Sequence, residues 1–367
     1  MKTATPVVAV TATQRLCLCA FAVVFAIALL APPVASGAVV WDGNDDGDNP
    51  TDNNWSTGDN WDQGSEPDNT QNAEITNGDT VAVTNTGEEA SSLFLDGSTV
   101  EQTGGSLRFG LRYDENGANG QRGLFFSITG GGRYELSGGT FNNDLGGAWA
   151  ADARIGDGGE GTLLINGGNF GQSQIGEIDD VVIGHGANSN GLLRIEQGNF
   201  YAYHENADLR LGSSEGTGRI EIAGSTPNAI QVGVDFQIQS STSSLAYEID
   251  GSGVTPVSIG HQDNPVLDLN GTLDVLLSSE PPSDDIPLIV LQNSPSSTSG
   301  SFTNYPNEGD DVSAVFDKTL YTWDLTYTGG NGNDVELQNM RSIAIPEPAL
   351  SALLLLGSAM LLYRRRA

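Results

Sequence analysis

The residues best suited to hold a ligand come early in the chain. Asp42, Asn44, Asp46 and Asp48 alternate, with Gly47 between the last two. Side-chain oxygens at this spacing offer several ligands from one turn, and calcium takes about six to eight hard oxygens. The twelfth position counted from Asp42 is Asn53, however, where a helix–loop–helix calcium site carries a bidentate Glu. A solvated acidic loop is the other reading of the same four residues. Acid–base chemistry has fewer candidates. The histidines are His185, His204 and His261, and none belongs to a recognisable nucleophile motif. Asp179-Asp180 stands close before His185, and polysaccharide cleavage needs a carboxylate pair facing one groove. At a repeated turn, Asp is simply a turn former. This inventory points away from catalysis.

The elements that must position these residues are short strands. Four segments read alike: GRYELSGGTF from Gly132, GTLLINGGNF from Gly161, GLLRIEQGNF from Gly191 and GRIEIAG from Gly218, with starts 29, 30 and 27 residues apart. A second element interleaves with them, at Arg154-Ile155-Gly156, Val182-Ile183-Gly184 and Arg210-Leu211-Gly212. Each element alternates apolar and polar residues and ends in glycine, the pattern of a strand leading into a tight corner. Two interleaved elements holding one period predict an all-β fold, a right-handed parallel β-helix across residues 91–262 at least. Inward Leu, Ile, Val and Phe then form ladders. Arg154, Arg194, Arg210 and Arg219 pair with acidic neighbours on adjacent coils. An antiparallel sandwich is the competing architecture, but it does not require a fixed period.

Composition narrows the partners. The chain has 367 residues, with 15 Lys plus Arg against 47 Asp plus Glu and a net charge of −32. Leaving out Lys2, Arg15, Glu347 and Arg364 to Arg366 gives ten basic and 46 acidic residues for positions 38–345. A body this acidic repels nucleic acid and anionic lipid. Its hydrophobic fraction of 38%, arranged in alternating runs, argues for folding rather than disorder.

Both ends read as addresses. Lys2 and Arg15 flank an apolar run from Leu16 to Leu30, Pro32-Pro33 breaks it, and Ser36-Gly37-Ala38 supplies small residues for cleavage. Residues 1–38 therefore read as a secretory signal helix. Its removal takes Cys17 and Cys19, the only cysteines, and leaves no thiol or disulfide. At the other end, Pro346-Glu347-Pro348 precedes an apolar run from Ala349 to Tyr363 and then Arg364-Arg365-Arg366. Such a run, with snorkelling flanks, suits a single transmembrane helix with its arginines on the cytoplasmic side.

Those three elements in that order resemble the PEP-CTERM sorting domain of Gram-negative bacteria. The resemblance covers residues 346–367 and implies export through the Sec translocon, a transient inner-membrane intermediate and processing by an exosortase. Pro346, Glu347 and Pro348 are then the recognition motif, with Arg364, Arg365 and Arg366 as the cytoplasmic stop. The mature body passes to the envelope surface or into extracellular polysaccharide. The opening stretch of residues 39–90, rich in Trp, Asp and Gly, resembles the N-terminal cap of autotransporter-like β-solenoids, with Trp41, Trp55 and Trp61 plugging the open end. Residues 263–338 look like the closing β region of such proteins, and 339–345 like a linker to the tail. GGNGNDVEL from Gly329 resembles a single calcium-binding nonapeptide of the RTX type, with Glu336 where that motif is apolar.

The expectation is a non-catalytic, exported surface or matrix protein that requires no cofactor, with calcium at Asp42 to Asp48 as the one ligand to test. Glycan binding or polysaccharide degradation on a β-helix is the alternative. Chelation by that loop predicts a thermal midpoint higher in calcium than in magnesium or sodium at matched ionic strength, and Asp46→Ala removes the excess. Equal midpoints in all three salts leave only a solvated acidic face.

Overall fold

The structure, a computed structural model, describes residues 38–43, 52–109, 124–142, 151–172, 178–203, 207–213, 215–260, 265–292, 297–330 and 332–346. The expected signal helix and transmembrane helix lie outside these residues. Apart from one 3₁₀ turn at Gly58–Asn60, the described elements are all strands. Ten of them form one parallel sheet and seventeen form a second. Strands of successive coils stack in register, which makes the body a parallel β-solenoid.

The register explains the repeat. Leu163 lies opposite Leu193, as the repeat predicts, and the same inward column runs through Val81, Val100, Tyr134, Leu163, Leu193, Ile220, Leu245 and Leu273. In the ten-stranded sheet, Ile75, Leu95, Ile128, Ile155, Ile183, Leu211, Ile238 and Leu269 form the matching column. A third column carries Leu107, Phe141, Phe170, Phe200, Ile230, Val257 and Ile289. Within it the rings of Phe141, Phe170 and Phe200 stack at centroid distances of 4.7 and 5.5 Å. Parallel rungs lie about 4.8 Å apart, so identical rings on successive coils stack face to face. Each fully buried Phe contributes roughly 1.5–3 kcal/mol of transfer free energy.

The glycines that end the second repeated element turn the corner into the next face. Gly156, Gly184 and Gly212 have φ of +75°, +77° and +73°. That left-handed backbone is open to glycine and strained for other residues. At Gly156 space is closed as well, because a Cβ there would lie 2.6 Å from the Asn190 carbonyl oxygen.

The parallel stack covers residues 91–262 and continues on both sides, into the expected cap and the expected closing region. Val39–Val40 already pairs with Asn72–Ile75, and Thr80–Val83 pairs with Thr99–Gln102. At the far end, Val266–Leu269, Thr272–Leu277, Ile286–Leu291 and Ser297–Gly300 all pair parallel with strands one coil back. Residues 265–300 are therefore further coils rather than a terminal sheet. The antiparallel part is confined to three strands, Asp311–Phe316, Thr319–Gly329 and Asp334–Ala344, the last of which also pairs antiparallel with Ile286–Leu291. The expected linker at 339–345 is mostly the second half of that last strand, where Ile343 faces Leu320 and Ala344 faces Thr319.

The ends are plugged by aromatic side chains. Trp61 packs edge-on against Trp41 and Trp55, at centroid distances of 5.1 and 4.9 Å, and all three indoles are buried. Trp61 Nε1 donates to the Trp55 carbonyl at 2.9 Å. Trp323, on the middle antiparallel strand, is fully buried.

Gly156 and Gly158 separate backbone strain from collision. Their φ values are +75° and +73°, and a Cβ at Gly158 meets nothing within 4 Å. Gly158→Ala is expected to cost about 1–3 kcal/mol for the left-handed backbone alone, and Gly156→Ala more than that. Chemical denaturation of the two variants checks the order; equal losses would remove the collision from the account.

Candidate functional site on the outward columns

Outward side chains repeat in columns as the inward ones do, and here the charged groups meet. Arg194 donates to Glu196 and, across one coil, to Glu221, both at 2.7 Å. Arg219 donates to the other oxygen of Glu221 at 2.7 Å and to Asp274 at 2.6 Å. Ala246 lies between Glu221 and Asp274 in the column, and its short side chain lets Arg219 reach over the intervening coil. Burial works to raise the Glu221 carboxyl, but hydrogen bonds from Arg219 and Arg194 hold it below its ordinary value. Half-exposed pairs contribute about 0.2–1 kcal/mol each, and linking them shares the ordering cost.

The ten-stranded sheet carries a second set. Arg210 donates to Asp180 at 2.9 Å and also to Asp208, and the Asp208 N–H donates to the other oxygen of Asp180. Asp180 is only 4% exposed. Burial pushes the Asp208 carboxyl up despite Arg210. A carboxylate buried this deeply needs its partner, and losing one side of such a pair typically costs several kcal/mol.

Asp157 lies one coil below His185, with Oδ1 2.7 Å from the His185 Nδ1. Arg154 approaches Asp157 at 3.6 Å. Ser213 follows His185 in register on the next coil. The expected pairing of the repeat arginines with acidic neighbours is thus what the structure shows for Arg194, Arg210 and Arg219 across coils, and for Arg154 within its own. Asp180, expected at a turn beside His185, is engaged by Arg210.

Other sequence-predicted residues fare differently. Asn44, Asp46 and Asp48 lie outside the described residues, and Asp42 is tied by its N–H to the Asn60 carbonyl at 3.2 Å. Glu347, Pro348 and Arg364, Arg365 and Arg366 also lie outside, while Pro346 is exposed directly after the last strand. His204 and His261 are not among the described residues. The nonapeptide-like GGNGNDVEL forms the tip of an antiparallel hairpin, where Gly329 pairs with Asp334. Asp334 accepts from the Leu291 N–H at 2.9 Å, so it acts as a strand clasp and does not sit between stacked parallel repeats. Among the described residues, no three His, Cys, Asp or Glu side chains are grouped to hold a metal.

One concave feature stands out on the coils. An open cleft of about 590 Å³ is lined by Gln239, Asp268, Asn270, Ser301, Thr303 and Pro306. Asp268 accepts from Ser299 Oγ at 3.0 Å and is the single carboxylate of that lining. Tyr201 lies half-buried on a different ladder, opposite Gln231.

Sequence reading missed Glu88. It points inward beside Leu107, at the head of the column that carries the stacked phenylalanines, and is 4% exposed. Burial pushes its carboxyl up to about 7, helped by a hydrogen bond and repulsion from Glu66. Its three-residue strand, Glu88–Ala90, is too short for periodicity to announce which face it shows.

No protein-family model, curated protein or solved structure matches the chain. Fold and geometry alone define its class, a parallel β-solenoid closed by tryptophans at one end and by an antiparallel meander at the other.

The Glu88 carboxyl gives a pH prediction. Its folded value of about 7 lies above the ordinary 4.5, so its contribution to stability is complete below about pH 4.5 and is lost as pH rises through 7. Glu88→Gln is expected to raise the thermal midpoint at pH 8 relative to the parent and to leave it nearly unchanged at pH 5. A substitution effect independent of pH would mean the carboxyl is solvated.

Proposed function

We propose that the chain is a non-catalytic, exported structural component of a bacterial cell surface or extracellular matrix. Its body is a right-handed β-solenoid spacer, and residues 346–367 are a PEP-CTERM-type sorting tail processed by an exosortase. The observation that carries this reading is the use of the outward charges. Arg194, Arg210 and Arg219, together with Glu221, Asp180 and Asp274, are engaged with one another along the coils, which stiffens a rod and leaves them unavailable to a substrate. The remaining acidic surface suits a hydrated polysaccharide matrix containing divalent cations. Pro346 lies two residues past the last strand, which ends at Ala344, and a motif starting there suits this reading.

Glycan binding is the second reading, and the cleft around Asp268 favours it. Amide, hydroxyl and carboxylate groups from Gln239, Asn270, Thr303 and Asp268 are the types that recognise sugar hydroxyls.

Processing is tested on protein recovered from the cell surface or medium. Mass spectrometry of its C-terminal peptide is expected to find a terminus upstream of Tyr363. An intact end from Tyr363 to Ala367 on most mature molecules would sink the sorting reading.

A further inference from the structure

Among the described residues, four large apolar side chains are exposed: Leu276, Val315, Ile343 and Ile345, at 58%, 54%, 67% and 44%. Three of the four lie together. Val315 pairs with Leu320 and Leu320 with Ile343 across the antiparallel meander, so these side chains form one row on its outer face. Ile345 adjoins it, because its N–H donates at 2.7 Å to the carbonyl of Lys318 in the hairpin turn. Isolated exposed apolar residues are ordinary, whereas a contiguous row marks an interaction surface.

The outer face is graded. The next row inward is Ser313 and Thr322 facing Arg341. Beyond it Asp311 and Asp324 are both paired with that arginine, at 2.6 and 2.7 Å. Apolar groups thus form the row beside the hairpin turn, whose Asp317 and Lys318 are exposed, and charge returns in the next row with Arg341. Only Pro346, Glu347 and Pro348 separate Ile345 from the apolar run starting at Ala349. Fully extended, the four steps from Ile345 to Ala349 reach about 14 Å.

From this we infer that the Val315–Leu320–Ile343 row, with Ile345, rests against the lipid bilayer while the tail is inserted, seating the solenoid on the membrane by its C-terminal meander. The inference rests on the reading of residues 349–363 as a membrane helix. The short tether keeps the row near the headgroups, and the acidic body is repelled from anionic lipid, which confines contact to the hairpin tip.

The test uses the full chain with Cys17 and Cys19 replaced by Ser, reconstituted in vesicles of phosphatidylethanolamine with a minority of phosphatidylglycerol. An environment-sensitive dye is placed at Ile343→Cys or, as a control on the coils, at Ser241→Cys. Carbonate extraction of the same vesicles reports on the tail independently. The expected result is a blue-shifted dye at position 343, quenched several-fold more by spin-labelled lipid than the dye at 241, with the protein resistant to carbonate. A solvent-exposed dye at 343 in carbonate-resistant protein overturns the seating while leaving the membrane helix intact. Release by carbonate overturns both. A blue shift that grows with protein density and ignores the lipid quencher assigns the row to a second copy and also overturns the proposal. Val315→Asp combined with Ile343→Asp, both at exposed positions, is expected to abolish the quenching at Leu320→Cys without releasing the tail.

Discussion

Everything in this molecule depends on in-register stacking of parallel strands, which forces each side-chain position to accept its own neighbour one coil away. A column therefore works only if its occupants suit one another. Leu163 between Tyr134 and Leu193, or Phe170 between Phe141 and Phe200, meets that condition by repeating an apolar shape. Backbone hydrogen bonds run between coils, so the core is only as wide as one turn and as long as the stack. No single layer can bury its own apolar face, and stability accumulates from one interface to the next.

The same constraint governs charge. Like charges brought into one column repel at rung spacing, and a chain with 47 acidic residues against 15 basic ones must avoid long acidic columns. It does so by placing its scarce arginines within the columns. Glu221 sits between two of them, and Asp180 shares Arg210 with Asp208. At Gln102 the constraint appears in neutral form. This buried amide occupies the same inward column as Leu136, and it is tolerated because Tyr134 donates to its oxygen at 2.5 Å and its nitrogen donates to the Thr140 carbonyl at 3.0 Å. A polar group in a ladder is stable here only when the ladder itself supplies the partners.

The central coils were legible in the sequence because their lengths are nearly constant and their corners are marked by glycine. Gly156, Gly184 and Gly212 could be read as corners because the positive φ needed there excludes most other residues. The outer coils escaped for the opposite reason. Val81, Val100 and Tyr134 are adjacent in one column yet 19 and 34 residues apart, so insertions at the corners hide the period while the rungs persist. Coils past 262 keep single glycines such as Gly271 and Gly300 but lack the repeated Ile-Gly or Leu-Gly corner. Arginine–carboxylate pairing was readable from the repeat, because equivalent positions must be neighbours. Its specific partners were not, since Arg219 skips a coil by passing over Ala246, a choice that depends on the size of a side chain one column position away. Glu88 was unreadable because only the stack shows that it faces inward.

The two ends show how a stack of this kind must finish. A terminal coil exposes both a layer of apolar side chains and a row of unpaired backbone groups, an invitation to add further strands from another molecule. At the N-terminal end the apolar layer is covered by Trp41, Trp55 and Trp61, whose area replaces that of a missing coil. At the C-terminal end the direction of pairing reverses: Asp334–Ala344 meets Ile286–Leu291 antiparallel, so the parallel register cannot propagate. Reversal brings its own consequence. The meander that stops the stack is a sheet with one face on the core and the other in the open, and its open face needs a polar covering along its whole length. The rows containing Arg341, Asp324 and Asp311 supply that covering; the row at the hairpin tip, beside the point where the chain departs, does not. Closure of the stack and the exposed apolar row of Val315, Leu320 and Ile343 therefore belong to one element.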